Sequence, residues 1–304
     1  MATKWRELIE GTAWVVDDLL TPEECRRFLD RAIEAGIEDG DRCRMTGDRR
    51  HRDGSRVELD DDELADRVFR RIRNGIPREV VVVVRNDNEN DNENDDHNND
   101  GPGGGGGGCP IDESRRSELA GTWVPYAVNP HWRIVRYAPG RGLFGPHRDG
   151  CRLLDDHHRS LITINGYLTD RPGARGPGSG ATRFLRDSLE VRLTDDGRLF
   201  TVGDEDVLHR VEADRAGKAV VFFHDLMHDG EPVEEGFPPK WIFRTEVLFE
   251  RDPATAPRRT DREREARLHL RRAEDTEADG RFGAAAALYT RAYRLDPSLE
   301  HRPR

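Results

Sequence analysis

The stretch GPHRDG, residues 145–150, carries an imidazole and a carboxylate two positions apart. In an extended segment residues two apart face the same side, so His147 and Asp149 can present a nitrogen and an oxygen to one metal ion. They would supply two of the three protein ligands of a 2-His-1-carboxylate set. That set leaves positions open on Fe(II) for oxygen and an organic co-substrate. His51-Arg52-Asp53 repeats the triplet without comparable surroundings. His-Arg-Asp also opens the protein-kinase catalytic loop, but here neither the spaced Asn nor an Asp-Phe-Gly follows. A further imidazole must come from another strand, and His209, His224 and His228 all lie downstream.

The elements that could position such a set are strands. HWRIVRY (131–137), SLITINGYL (160–168), GRLFTV (197–202), KAVVFF (218–223) and WIFRTEVLF (241–249) are rich in β-branched and aromatic residues. Gly-, Pro- and Asp-rich turns separate them rather than helices, the rhythm of an antiparallel barrel or jelly roll. GARGPGSG (173–180) is a flexible loop between two of them, and it lacks the Lys-Ser/Thr ending of a phosphate cradle.

Ahead of these strands the pattern turns helical. AWVVDDLL (13–20) reads as a strand running into a turn. Thr21-Pro22-Glu23-Glu24 then predicts a capped helix start, with Cys25, Phe28, Leu29, Ala32 and Ile33 as its buried stripe up to Gly36. Residues 60–63, all acidic, suit the N-terminus of a second helix. Its stripe is Leu64, Ala65, Val68, Phe69 and Ile72. Val80 to Val84 predict a buried strand or part of one. Residues 86–108, NDNENDNENDDHNNDGPGGGGGG, cannot bury enough apolar surface to offset the entropy of ordering and read as a disordered insertion. His97 within it sits in a solvated acidic loop.

From Arg262 the chain predicts two helices broken at Asp279-Gly280. The second resembles the latter half of one tetratricopeptide repeat, with Ala285, Tyr289, Ala292 and Pro297 at that spacing. Residues 1–250 are therefore read as one domain, and 251–304 as a charged linker and a helical hairpin, either docked on that domain or a mobile tail.

Composition narrows the classes of function. The 304 residues hold 49 Lys and Arg against 60 Asp and Glu, a formal charge of −11. This argues against a surface built to grip nucleic-acid phosphates. No apolar run has signal-peptide or bilayer-spanning length, so a cytoplasmic or nuclear protein without a membrane partner is expected. Cys25, Cys43, Cys109 and Cys151 form no Cys-x-x-Cys pair, which points to reduced thiols.

Several pieces together resemble the prolyl 4-hydroxylase-like branch of the 2-oxoglutarate- and Fe(II)-dependent oxygenases. They are RIVRY ending at Tyr137, Pro146-His147-Arg148-Asp149, GATRF (180–184), GKAVVF (217–222) and HDGEPV (228–233), in register from about residue 13 to residue 250. The resemblance implies a mainly β, α+β chain. Its core would be a double-stranded β-helix (jelly roll) with N-terminal packing helices. It selects His228 over His224 and His209, giving His147, Asp149 and His228 as Fe(II) ligands. It implies 2-oxoglutarate and O2 as co-substrates, ascorbate as reductant, and a protein or peptide substrate hydroxylated at a prolyl or other residue. A basic residue on the strand after the distal His would pair with the far carboxylate of 2-oxoglutarate. Register favours Lys240. Arg244, on the same strand face, has the planar fork that suits a carboxylate. Tyr137 would add a hydrogen bond or serve as a core residue. No side-chain general base is implied. An inert jelly-roll scaffold using its helical tail, or a nucleic-acid demethylase on the same fold, are the rival expectations.

Overall fold

The computed structural model describes residues 3–38, 51–83, 118–140, 142–193, 200–278 and 282–300. The 86–108 insertion, with His97, and the cysteines Cys43 and Cys109 lie outside these residues. The N-terminal part contributes β1 (Lys4–Ile9), β2 (Ala13–Asp17), α1 (Pro22–Glu34), β3 (Arg52–Asp53), β4 (Ser55–Asp60), α2 (Asp62–Ile72), β5 (Val80–Val82) and β6 (Gly121–Val128). The strands that follow are β7 (His131–Tyr137), β8 (Gly142–His147), β9 (His158–Tyr167), β10 (Thr182–Leu185), β11 (Arg192–Leu193), β12 (Phe200–Thr201), β13 (Val207–Val211), β14 (Ala219–Phe223), β15 (His228–Val233) and β16 (Lys240–Arg251).

Two antiparallel sheets form the body. The larger runs β1-β2-β14-β9-β16, after which β16 pairs with β7 through its first half and β6 through its second. The smaller runs β13-β10-β15-β8-β3. Leaving aside the small β11-β12 ribbon, strands from β7 to β16 alternate between the sheets except at β10 and β13, which pair with each other, so that β7, β9, β14 and β16 lie in one sheet and β8, β10, β13 and β15 in the other. That alternation is the double-stranded β-helix, a jelly roll.

Both faces of the larger sheet are buried, which explains why KAVVFF is apolar throughout. On β14, Val221 and Phe223 join the core beneath the helices, while Val220 and Phe222 join the core between the sheets. On β16, Trp241 and Phe243 face the helices and Ile242 faces inward. Phe28 of α1 packs against Trp132 (5.1 Å between centroids) and Phe243 (6.1 Å). α1 starts with the full capping box at Thr21 and Glu24. Glu24 also accepts bonds from Arg67 (3.3 Å) and Arg71 (2.7 Å) of α2, tying the helices together.

Several local expectations change. Ile33 is 49% exposed and falls outside the α1 stripe. The valine run is an edge strand that alternates, with Val80 and Val82 buried but Val81 and Val83 exposed. Phe200–Thr201 of GRLFTV forms only a two-residue strand against Arg192–Leu193, and Val207–Val211 takes the jelly-roll position instead. Short polar strands such as VLHRV carry little apolar signal, so composition hides them. Much of the 39–56 segment lies outside the described residues, but Arg52–Asp53 and Ser55–Asp60 are paired strands.

At the C-terminus α3 (Asp261–Ala278) and α4 (Phe282–Leu295) pack on each other through small residues, Ala266, Ala273, Ala285 and Ala292 being buried. Arg271 of α3 pairs with Asp156 at 2.6 Å, and Arg259 donates to the Glu118 carbonyl at 3.3 Å. Among the described residues no helix is long and apolar enough to cross a membrane.

Candidate metal centre

His147 ends β8 and His228 begins β15, and the two are direct cross-strand partners. Their ring centroids lie 4.3 Å apart. The Nδ1–H of His147 donates to the Gly145 carbonyl at 2.7 Å, and that of His228 to the Leu226 carbonyl at 2.9 Å. A carbonyl can only accept, so both rings carry a proton on Nδ1, which leaves Nε2 as the nitrogen turned to a metal. Nε2 of His147 lies 3.7 Å from Asp149 Oδ1, and Nε2 of His228 lies 3.8 Å from Asp149 Oδ2. One donor atom from each residue falls within 4.8 Å of the others, the one such group among the described residues.

The electrostatics suit a cation. Burial and the neighbouring His147 push His228 down to about 4, so it is a neutral imidazole at physiological pH. Burial alone would raise the Asp149 carboxyl, but Arg244, His228 and His147 hold it well below the ordinary carboxylate range. Two imidazole nitrogens and one anionic oxygen therefore converge, a donor set that fits a divalent iron-type ion.

A directed hydrogen-bond chain orients the carboxylate. The Arg152 N–H donates to Ser160 Oγ (2.7 Å), and the Ser160 hydroxyl to His224 Nε2 (2.8 Å). His224 Nδ1–H donates to Thr163 Oγ1 (2.9 Å), and the Thr163 hydroxyl to Asp149 Oδ2 (2.6 Å). On the other side Arg244 Nη2 sits 3.1 Å from Asp149 Oδ1. His224 is thus buried behind the carboxylate and does not join the donor group. His209 lies on β13 opposite Phe184, away from it. His51 Nε2 bonds the Pro146 carbonyl at 3.0 Å, bracing the backbone just before His147.

The donors line a cleft enclosing about 580 Å³ of space, part of it open to solvent. Lys240, Ile242 and Arg244 line it from alternate positions of β16, as a strand's period of two requires. Lys240 is only 2% exposed, and burial and the nearby Arg171 bring its ammonium down to about 7. Its Nζ lies 5.4 Å from the Tyr137 ring centre and has no hydrogen bond or ion pair among the described residues. Gly180, at φ +81°, leaves room for its stem, because a Cβ there would lie 3.3 Å from Lys240 Cδ and 2.7 Å from Val233 Cγ2. Tyr137 is buried, and that burial pushes its phenol up to about 12. Neighbouring Asp229 is occupied by a two-pronged bond with Arg183.

The spacing of His147 and Asp149, with the family resemblance for His228, Lys240, Arg244 and Tyr137, names six residues that all line this cleft. It does not expose Thr163, whose only signal is its place in SLITIN, nor Arg244 as a partner of Asp149.

No family model and no curated protein matches the chain. Among solved structures it is similar to a Pseudomonas putida prolyl-4-hydroxylase (TM-score 0.42, 13% identical, covering 80% of this chain and 94% of that one). It is also similar to a viral collagen prolyl hydroxylase of Paramecium Bursaria Chlorella virus-1 (TM-score 0.41, 14% identical, 81% and 96%). A third is a Trichoplax adhaerens prolyl hydroxylase solved with a peptide fragment of hypoxia inducible factor (TM-score 0.41, 10% identical, 78% and 84%). The fold itself rests on the alternation of strands between the two sheets.

Proposed function

We propose that the chain is an Fe(II)- and 2-oxoglutarate-dependent dioxygenase that hydroxylates an unactivated C–H bond of a prolyl or other residue in a protein or peptide. The observation that carries this reading is a buried, unpaired Lys240 in the same cleft as the His147, Asp149 and His228 donors. A dicarboxylate that chelates a metal is favoured by a cation at its far end, and Lys240, on the wall beside Tyr137, has no ion pair among the described residues.

Bound iron and 2-oxoglutarate, together with O2, would supply one thing, an oxidant that turns a substrate C–H into C–OH, one oxygen atom of O2 going to the product and the other to succinate, with carbon dioxide released. The chain does the rest. His147, Asp149 and His228 would hold the metal. Lys240, above the Tyr137 ring, anchors the distal carboxylate. Arg244 and Thr163 keep Asp149 ionised and aimed, so neither of its oxygens can swing away. Phe144 stacks on the His147 ring, and Phe222 and Phe184 pack against His228, a hydrophobic collar that limits water at the reacting face.

The test is succinate formation with Fe(II), 2-oxoglutarate and ascorbate, with mass spectrometry of candidate peptides before and after turnover. Absence of both 2-oxoglutarate binding and succinate from metal-loaded protein would leave an inert jelly roll.

A further inference from the structure

Among the described residues, a second cation in the cleft lacks an anion. Arg52, on β3 at the edge of the smaller sheet, lies over the Phe144 ring at 4.9 Å. Phe144 in turn stacks on His147 with centroids 3.6 Å apart and planes at 16°. One aromatic layer therefore separates the guanidinium from a donor ring of the metal centre.

The other cations nearby are matched. Arg133 bonds Glu246, Arg56 sits 3.3 Å from Glu58, and Arg244 is shared by Asp149 and Glu246. Arg52 has no hydrogen bond or ion pair among the described residues, and its buried Nε has no acceptor. Burial and the crowding of Arg56, Arg244 and Arg133 disfavour its charge, so an anion beside it would be strongly welcomed. Iron and 2-oxoglutarate bring equal and opposite charges, and Lys240 is assigned to the latter. Their arrival leaves Arg52 unmatched among the described residues.

We propose that the substrate bears a carboxylate that is held by Arg52 at the rim of the cleft. The inference rests on the oxygenase reading and deepens it by naming the chemistry of the substrate. A single unmatched guanidinium calls for a monoanion, and its planar fork fits a carboxylate in two parallel bonds. The carboxylate belongs either to an Asp or Glu side chain next to the oxidised residue or to a small carboxylic acid. Arg52 and Lys240 come from different sheets, so substrate and co-substrate carboxylates are held on separate walls.

The test is calorimetric binding to full-length protein loaded with Zn(II) and 2-oxoglutarate, which cannot turn over. The probes are the blocked peptides Gly-Glu-Pro-Gly and Gly-Pro-Glu-Gly with their Gln counterparts, and N-acetylproline with N-acetylprolinamide. We expect at least one carboxylate probe to bind about tenfold or more tightly than its amide. That preference should vanish in Arg52→Met and persist in part in Arg52→Lys, which keeps the charge if Met impairs folding. Selectivity among the peptides identifies an acidic residue as the source, and selectivity for N-acetylproline alone identifies a small acid. Equal binding of acid and amide by wild type, or an acid preference that survives Arg52→Met, overturns the proposal. So does an Arg52→Met loss of 2-oxoglutarate affinity as large as its loss of the probe. A protein that shows the Arg52-dependent preference but takes up neither metal nor 2-oxoglutarate overturns the oxygenase reading instead.

Discussion

Replacing Lys240 with Met should stabilise the chain and cripple its handling of 2-oxoglutarate at once. The ammonium is held down from 10.5 to about 7 by burial and by Arg171. That displacement corresponds to on the order of 5 kcal/mol by which folding disfavours the charged amine. The sign follows from proton counts. Between pH 7 and 10.5 the unfolded chain binds the proton and the folded chain does not, so stability rises with pH across that window. The penalty is complete below pH 7 and gone above 10.5. Met keeps the length of the buried stem and removes the charge, so in the absence of ligand its melting temperature should rise by roughly 10 °C or more at pH 6.5. The gain should shrink steadily toward pH 10. In the same variant the dissociation constant for 2-oxoglutarate, measured on anaerobic Fe(II) protein, should increase about ten- to a hundredfold, the value of one charge-assisted contact. A variant that melts at the wild-type temperature at every pH and binds 2-oxoglutarate normally would refute both halves of the reasoning.

Other expectations follow from the same geometry. In wild type, 2-oxoglutarate affinity should fall as pH rises above about 7, because the carboxylate must find an ammonium that free protein increasingly lacks; a flat profile from pH 7 to 9 would detach Lys240 from the co-substrate. Anaerobic titration should show that His147→Ala, Asp149→Ala and His228→Ala lose metal binding while His209→Ala and His51→Ala retain it. Thr163→Val and Arg244→Met should weaken metal affinity about ten- to a hundredfold by releasing the Asp149 carboxylate, and unchanged affinity in both would show that the carboxylate needs no brace. Replacing residues 86–108 with a short Gly/Ser linker should alter closure entropy by only about 1 kcal/mol and leave succinate formation in place; loss of turnover would make the segment a working part.

Legibility in the sequence tracks the range of each interaction. The α1 start is local chemistry within four residues, and Thr21-Pro-Glu-Glu announces it fully. The apolar strands are legible because the larger sheet is buried on both faces. β13 and β3 are not, because each buries little and is held by backbone pairing with a partner distant in the chain. The same division runs through the site. The two-residue spacing of His147 and Asp149 predicts a shared side, and the two do converge although Asp149 lies just past the end of β8; the order of motifs points to β15. Arg244 offers two physically reasonable partners in the sequence, a co-substrate carboxylate or a ligand carboxylate. Only the packing of β16 against the 147–150 turn puts its Nη2 beside Asp149. Thr163 and Ser160 are unremarkable strand residues until His224 is seen between them.

The cross-strand pairing of His147 with His228 has a cost as well as a use. Hydrogen bonds of the sheet hold both rings at their spacing before any ion arrives, so the socket offers much the same donors to every divalent ion of similar size. Affinity for such donors rises from iron through cobalt and nickel to copper, with zinc also ahead of iron. A socket formed in advance therefore cannot tell a working ion from a redox-silent impostor. The protein's protection against zinc poisoning must come from how iron is delivered to it, and purified protein should be expected to carry whichever metal its expression host supplied in excess.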